Sequence, residues 1–241
     1  MRLDQALVSR GLARSRQHAS ELIRSGQVTV DGVAAVKPSL PVDDTAQLDA
    51  PLDMYVGRAA HKLLGALADS ATTVRGRALD AGASTGGFTQ VLLEAGAERV
   101  YAVDVGHDQL AAAVRTDPRV VVHEGTNLRD LTLELLEAEP LDLVVADVSF
   151  ISLRLLVGPL LNVLRADGVA LLMVKPQFEV GRERLGSGGV VRDEKDRVAA
   201  VDGVAHAAEA HGWSEDWRGP SRLPGPAGNV EYFLRLRRAG H

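Results

Sequence analysis

Apolar positions near the start of the chain recur at helical spacing, Leu3, Leu7 and Val8, until Gly11 breaks the run. The stretch SRQHASELIRSG then puts Ala19, Leu22 and Ile23 on one face, with Ser15 where an N-cap belongs and Gly26 as the stop. QVTVDG alternates as a strand and ends in an Asp-Gly turn, VAAVKP follows it, and TAQLDA reads as a last short strand. These elements make a small α+β module over residues 1–50, and PLDMYVG, residues 51–57, reads as a linker. A helix starts near Arg58 and runs through HKLLGALADS. From Arg77 onward the apolar runs RALDAG, RVYAVDV, RVVVHEG, LDLVVADVSF and GVALLMVK alternate with helical patterns, which predicts a parallel, doubly wound α/β sheet across residues 58–241. A long helix around Glu194–His211 and two strands, near Trp213–Trp217 and Val230–Arg237, complete the chain.

Composition narrows the classes. Hydrophobic content of 46% and charged content of 24% are those of an ordinary globular protein. No apolar run approaches the ~18–20 residues that cross a bilayer, and Asp4 and Gln5 stand where a signal peptide would begin its apolar core. With no cysteine there are no disulfides, thiolate nucleophiles or cysteine-ligated metals, which fits a cytoplasmic protein. No metal centre is expected. Net charge is −5, yet Arg2, Arg10, Arg14, Arg16 and Arg24 outnumber Asp4 and Glu21 in the first thirty residues. Arg235, Arg237 and Arg238 form a second basic excess. An acidic body with a basic N-terminal patch can hold a polyanion at one end.

The pattern RLDQALVSRGLARSRQHASELIRSGQVTVDGVAAVKP resembles the S4 RNA-binding domain. That resemblance implies two short helices and a turn presenting Arg2, Arg10, Arg14, Arg16 and Arg24 to RNA phosphates. The plainer reading is a solvated helix face.

LDAGASTGGFTQVLLEAG reads as strand, tight turn and helix, with Gly82, Gly86 and Gly87 permitting close approach of backbone to a ligand. The spacing G-x-x-x-G-G differs from the dinucleotide fingerprint G-x-G-x-x-G. Asp80 ends the first strand, where it could reach a ligand amine, and Asp104 ends the second, where a carboxylate grips ribose hydroxyls. An acidic residue before the loop suits a ligand with an ammonium group and no phosphate, as in S-adenosylmethionine. The motif resembles that of Rossmann-like methyltransferases, whose sheet is parallel with one antiparallel strand. It implies a cofactor site at Asp80, Gly82, Ala83, Ser84, Gly86, Gly87, Phe88, Asp104, Asn127 and Asp147. Helix capping alone is the competing role for Asp80 and Asp104.

The chain has only four lysines among its 27 Lys+Arg, and one of them, Lys175, follows the buried run LLMV. Strand four ends at Asp147 and strand five at Lys175, so both face the ligand crevice of an open α/β sheet. Glu231 opens the last strand, and an antiparallel strand would begin at that same edge. Lys62 lies on the helix that enters the domain. Lys62, Asp147, Lys175 and Glu231 resemble the Lys-Asp-Lys-Glu tetrad of RNA ribose 2′-O-methyltransferases. A ribose hydroxyl must lose its proton to become a nucleophile. A lysine serves only once burial, a second ammonium and a sulfonium disfavour its charged form, and arginine cannot serve at all. That makes Lys175 the candidate base or steering group and Lys62 its electrostatic partner, against the usual role of a strand-end lysine as a snorkelling surface residue.

PQFEVGRERLGSGGVVRD follows, and its glycines predict a mobile lid. Phe178 is either a stacking partner for an unstacked base or an apolar anchor for that loop. KPQFEVG, DVSFISL and DAGASTGGFT together resemble the TlyA family, some members of which are labelled haemolysin. The resemblance implies a ribosomal RNA methyltransferase acting on a cytidine 2′-hydroxyl of large-subunit (23S) RNA, with some members also modifying small-subunit (16S) RNA. The implied partner is ribosomal RNA or a ribosomal subunit, with no membrane, and a monomer is expected. This chain begins almost at the first S4 helix and ends a few residues after Arg238, shorter than the longer members. A non-catalytic RNA-binding or assembly protein and a membrane-lytic protein are the alternatives.

Overall fold

The computed structural model describes residues 1–51 and 54–240; Leu52 and Asp53 of the expected linker, and His241, lie outside the described residues. The chain divides into two compact units, Met1–Tyr55 and Val56–His241.

The first unit holds helices α1 (Leu3–Ser9) and α2 (Arg16–Arg24) and strands β1 (Val28–Val30), β2 (Val33–Ala35) and β3 (Leu48–Asp49). Ser15 caps α2 as its position predicts, its hydroxyl accepting from the His18 N–H at 3.2 Å. Val30 pairs with Val33 across Asp31 and Gly32, both at positive φ (51° and 80°), the backbone a two-residue hairpin needs. β1 is the centre strand, antiparallel to β2 and β3. Leu3, Leu7, Ala19, Ile23 and Val28 are fully buried and form the core of the unit.

The second unit runs α3 (Ala59–Asp69), β4 (Arg77–Ala81), α4 (Gly87–Glu94), β5 (Arg99–Val103), α5 (Ala112–Arg115), β6 (Val120–His123), β7 (Leu141–Ala146), α6 (Val157–Asn162), β8 (Leu164–Val174), α7 (Pro176–Glu179), α8 (Glu194–Glu209), β9 (Trp213–Pro220) and β10 (Tyr232–Arg238). Its seven strands lie in the order β6-β5-β4-β7-β8-β10-β9. β4, β5, β6, β7 and β8 pair in parallel, and β10 runs antiparallel between β8 and β9. The expected parallel sheet with one antiparallel strand is therefore present. The run Val169–Val174 is buried throughout, because helices cover both faces of a central parallel strand. Leu234 and Leu236 belong to the core shared with α6 and α8, whereas Phe233, on the opposite face by strand alternation, stacks on Phe88 of α4 at 6.3 Å.

Some boundaries differ from the sequence reading. β8 starts at Leu164, before the apolar run, and reaches it through a register shift opposite Leu141–Leu143. β9 extends to Pro220, its half-buried residues alternating with exposed ones as on an edge strand. The C-terminal basic excess is partly neutralised there: Asp216 accepts from Arg235 Nε at 2.7 Å and from Arg237 Nε at 2.9 Å.

Candidate active site

The glycine loop between β4 and α4 turns where no side chain would fit. Gly82 has φ 88°, and a Cβ there would stand 2.7 Å from the Asp147 carbonyl oxygen. A Cβ on Gly87 would stand 3.1 Å from the Ala60 nitrogen and 3.2 Å from the Gly57 carbonyl oxygen, so α4 begins directly against the start of α3. Asp104, just past β5, is aimed back at this loop: its Oδ2 accepts from Ser84 N–H at 2.8 Å and its Oδ1 from Gly106 N–H at 2.7 Å. A cleft of about 600 Å³ opens above the strand ends, lined by Gly82, Ser84, Asp104, Asn127, Asp147 and Phe150 among others. Asn127 lines it while its Oδ1 also accepts from Arg129 N–H at 3.0 Å. A second cleft of about 260 Å³ shares Gly82, Ser84, Asp147 and Ser149 with the first and adds Gly57, Ala83, Gly87 and Lys175.

Asp80 lies beneath the loop, wholly buried. Thr89 donates its hydroxyl to Oδ2 at 2.7 Å, while Oδ1 has no protein partner among the described residues. Burial pushes this carboxyl up to about 7, and the negative charge of Asp147 adds to the shift, against the Thr89 hydrogen bond. A buried carboxylate oxygen without a donor fits a cationic ligand, and the loop beside it has the cradle that such a ligand needs. The residues present thus suit S-adenosylmethionine. Phe88 touches the second cleft, but its ring is buried against Phe233 and belongs to the core.

The four ionisable groups expected together are brought together, as two linked ion pairs. Lys62 Nζ donates to Glu231 Oε2 at 2.6 Å, with side chains only 5% and 1% exposed. Gln177 Nε2 donates to the other oxygen of Glu231 at 3.2 Å. Lys175 Nζ lies 2.5 Å from Asp147 Oδ1, with side chains 10% and 16% exposed. The contact is off the hydrogen-bond axis: Nζ donates instead to Ser149 Oγ at 2.8 Å, and Asp147 Oδ1 accepts no hydrogen bond among the described residues. The β8–β10 register joins the pairs, because Tyr232 opposes Val174 and so sets Glu231 beside Lys175.

Sequence reasoning missed the groups that hold this arrangement. Ser149 sits two positions after Asp147, and Gln177 two after Lys175. Glu179, at the end of α7, is buried and accepts from Ser152 Oγ at 2.5 Å and Leu153 N–H at 2.7 Å, with Arg154 Nε at 3.3 Å. Phe178 packs on Phe150 with ring centroids 5.2 Å apart, and Phe150, itself 91% exposed, stands at φ 65°. The 176–193 segment expected as a mobile lid is tied towards its end by Val191 N–H to Asn229 Oδ1 at 2.9 Å and by Asn229 Nδ2 to Gly189 O at 3.0 Å.

In the first unit the expected arginines differ in their engagement. Arg2 and Arg16 pair with Asp4. Arg10 donates to the carbonyls of Asp43, Asp44 and Ala46 at 3.1, 2.9 and 2.5 Å, closing the end of its own unit. Arg14 approaches the His18 ring at 3.4 Å, and Arg24 is exposed in the last turn of α2.

The strand order, the single antiparallel strand and a glycine-loop cleft with a carboxylate at each of the first two strand ends define a Rossmann-like methyltransferase. Known proteins agree. The FtsJ-like methyltransferase profile matches residues 55–238 and the S4 domain profile residues 1–48. The chain is 53% identical over 240 residues to the 16S/23S rRNA (cytidine-2′-O)-methyltransferase TlyA of Mycobacterium tuberculosis, covering 98% of this chain and 89% of that one. It is 35% identical to the 23S rRNA (cytidine-2′-O)-methyltransferase TlyA of Campylobacter jejuni, covering 97% and 98%. A solved Streptococcus thermophilus structure that carries a hemolysin label is 35% identical, with TM-score 0.79, over 100% of this chain and 89% of that one. The chain belongs to the FtsJ-like methyltransferases, in the TlyA family that joins such a domain to an S4 domain.

Proposed function

We propose that the protein methylates the 2′-hydroxyl of a cytidine ribose in large-subunit (23S) ribosomal RNA, with small-subunit (16S) RNA as the second candidate substrate. The observation that carries this reading is the gathering of Lys62, Asp147, Lys175 and Glu231 at the carboxyl ends of the strands, with Lys175 and Asp147 opening into the glycine-loop cleft. S-adenosylmethionine, when bound, supplies a methyl carbon already activated by the sulfonium. Asp80, the loop residues Gly82 to Gly87 and Asp104 would hold it, and Asn127 would flank its base. The chain's own task would then be to position the ribose hydroxyl beside that carbon and to take up one proton. Lys175, which lines the cleft and is held by Ser149 and Asp147, serves there as the base or as a steering group for that proton. The buried Lys62–Glu231 pair, bridged through Gln177 to the segment after Lys175, sets the charge behind it. The first unit supplies the grip on RNA phosphates, and the protein works as a cytoplasmic monomer. Among the described residues no helix is long and apolar enough to cross a membrane.

The test is transfer of labelled methyl from S-adenosylmethionine to 23S and 16S ribosomal RNA, offered as free transcripts and as subunits, with the methylated ribose mapped. Transfer to a cytidine 2′-oxygen is expected. S-adenosylmethionine binding without transfer to any of these RNAs would turn the reading towards a non-catalytic RNA-binding protein.

A further inference from the structure

Asp4 is a carboxylate set among the arginines of a unit whose charge is otherwise suited to a polyanion. It lies in the first turn of α1 and is only 3% exposed. Its Oδ1 accepts from Arg2 Nε at 3.0 Å and its Oδ2 from Arg2 Nη2 at 3.0 Å, the two-pronged geometry of the strong guanidinium–carboxylate pair. Oδ2 also meets Arg16 Nη2 at 3.4 Å. The two arginines come from separate elements, Arg2 from just before α1 and Arg16 from the first turn of α2. Their side chains keep 48% and 59% exposure while the carboxylate between them is sealed from water. The Arg2 hydrogen bond holds the Asp4 carboxyl below its usual range, against burial, so it is ionised at neutral pH. The frame beneath is rigid: Arg2 bridges to Pro41, Leu3 N–H donates to Leu40 O at 2.8 Å, and Asp4 N–H donates to Pro38 O at 3.1 Å.

We infer that Asp4 is a positioning residue that sets Arg2 and Arg16 side by side as a double grip for neighbouring phosphates of an RNA strand. The inference deepens the reading of this unit as an RNA-binding domain and rests on it. Two guanidiniums repel each other, and each loses rotamer freedom when it docks. A buried carboxylate between them offsets the repulsion and orders both side chains before RNA arrives. A surface carboxylate that merely balanced charge would do the opposite and weaken the hold on a polyanion.

That contrast gives a test by sign. Counting charges alone, Asp4→Asn removes a negative charge and tightens RNA binding. Positioning predicts that the same change weakens it, by about five- to tenfold, with a shallower dependence of affinity on salt. The full chain is titrated against a labelled 23S ribosomal RNA transcript at several salt concentrations, with S-adenosylmethionine affinity and melting temperature measured alongside. The double variant Arg2→Lys, Arg16→Lys keeps every charge but loses the planar forks. It is expected to weaken RNA binding to a similar degree, and it decides the matter if Asp4→Asn proves poorly folded. Equal or tighter binding by a folded Asp4→Asn protein, or unchanged binding by the lysine double variant, would overturn the inference while leaving the RNA-binding reading in place. Failure of the unaltered chain to hold the transcript would remove both.

Discussion

Among its described residues the second unit contains two lysine–carboxylate pairs of nearly equal length and very different character. Lys62–Glu231, at 2.6 Å, is closed: both side chains are withdrawn from water, the hydrogen bond is direct, and Gln177 takes up the second carboxylate oxygen. Lys175–Asp147, at 2.5 Å, is open: it lines a cleft, the contact is off axis, and the lysine's hydrogen bond goes to Ser149. A closed pair has spent its bonding capacity on holding itself. An open pair keeps an oxygen and an amine available to something that enters the cleft. The same two residue types thus divide between a fixed charge and a reactive group, and exposure makes the division.

The largest effect expected is therefore at Lys175. Lys175→Ala should lower methyl transfer about 10²–10⁴-fold, the usual contribution of a positioned acid or base. Affinity for S-adenosylmethionine by calorimetry should remain. Lys175→Arg sharpens the point, since arginine keeps the positive charge and does not release its proton. It should be as inactive as the alanine variant if the lysine acts as base. Recovery of activity by arginine would assign Lys175 to charge steering alone, and undiminished transfer by either variant would erase the distinction between the two pairs.

Breaking the closed pair should tell first on stability. Lys62→Ala leaves the Glu231 carboxylate buried without its cation, a change that costs about 3–5 kcal/mol. For a unit of this size that lowers the melting temperature by about 6–20 °C. Replacing both partners, Lys62→Met with Glu231→Leu, removes the stranded charge and should restore most of the loss. Transfer should stay low in the double variant if the pair also sets the charge behind Lys175. Full stability with full activity would make the closed pair a packing device only.

The strand ends of this site were legible in the sequence, and their bonding was not. Asp80, Asp104, Asp147 and Lys175 each follow an apolar run, so periodicity alone puts them along one edge of a sheet. The glycine spacing marks the loop because a Cβ at Gly82 would collide with Asp147. Nothing local marks Lys62 as the partner of Glu231, since 169 positions separate them and only the folded sheet closes the distance. Gln177 and Glu179 were passed over because they sit in a segment whose glycines suggested mobility. Yet α7 there is anchored at one end through Lys175 to Ser149 and at the other through Glu179 to Ser152 and Leu153. Arg10 shows what charge alone does not display: its guanidinium also hydrogen-bonds to backbone carbonyls of its own unit.

That double anchoring offers a way to disturb the open pair without touching it. Glu179 fixes the loop that carries Asp147 and Ser149, at a point remote from the amine of Lys175. Glu179→Ala should let this loop drift, and a misplacement of about 1 Å costs about a hundredfold in rate at the limit. A fall in kcat of about ten- to a hundredfold, larger than any change in S-adenosylmethionine affinity, is expected from single-turnover transfer. The closed pair should not notice, so melting temperature should fall less than in Lys62→Ala. An equal fall in melting temperature with unchanged kcat would make Glu179 a structural acid only.

Asp80 extends the comparison to a third carboxylate near the strand ends, wholly buried, with no lysine paired to it among the described residues. Its Oδ1 lacks a partner among the described residues and burial pushes the carboxyl up to about 7, so its charge changes near neutral pH. The sign of the consequence follows from the direction of the shift. A carboxyl raised on folding favours the folded state at low pH, and that contribution is lost as pH rises from about 4 through about 7. A cationic ligand reverses the preference, because it needs the ionised form and must expel the proton to bind. S-adenosylmethionine should therefore bind about fivefold more tightly at pH 7 than at pH 6, the change in ionised fraction of a group pushed up to about 7 while the ligand's amine stays protonated. Calorimetry in buffers of different ionisation enthalpy should register proton release at pH 7. Asp80→Asn should flatten both the pH dependence and the proton release. Affinity independent of pH in the unaltered chain would mean that the ligand's cation lies elsewhere, and that this buried acid, unlike the two paired ones, has no positive partner at any stage.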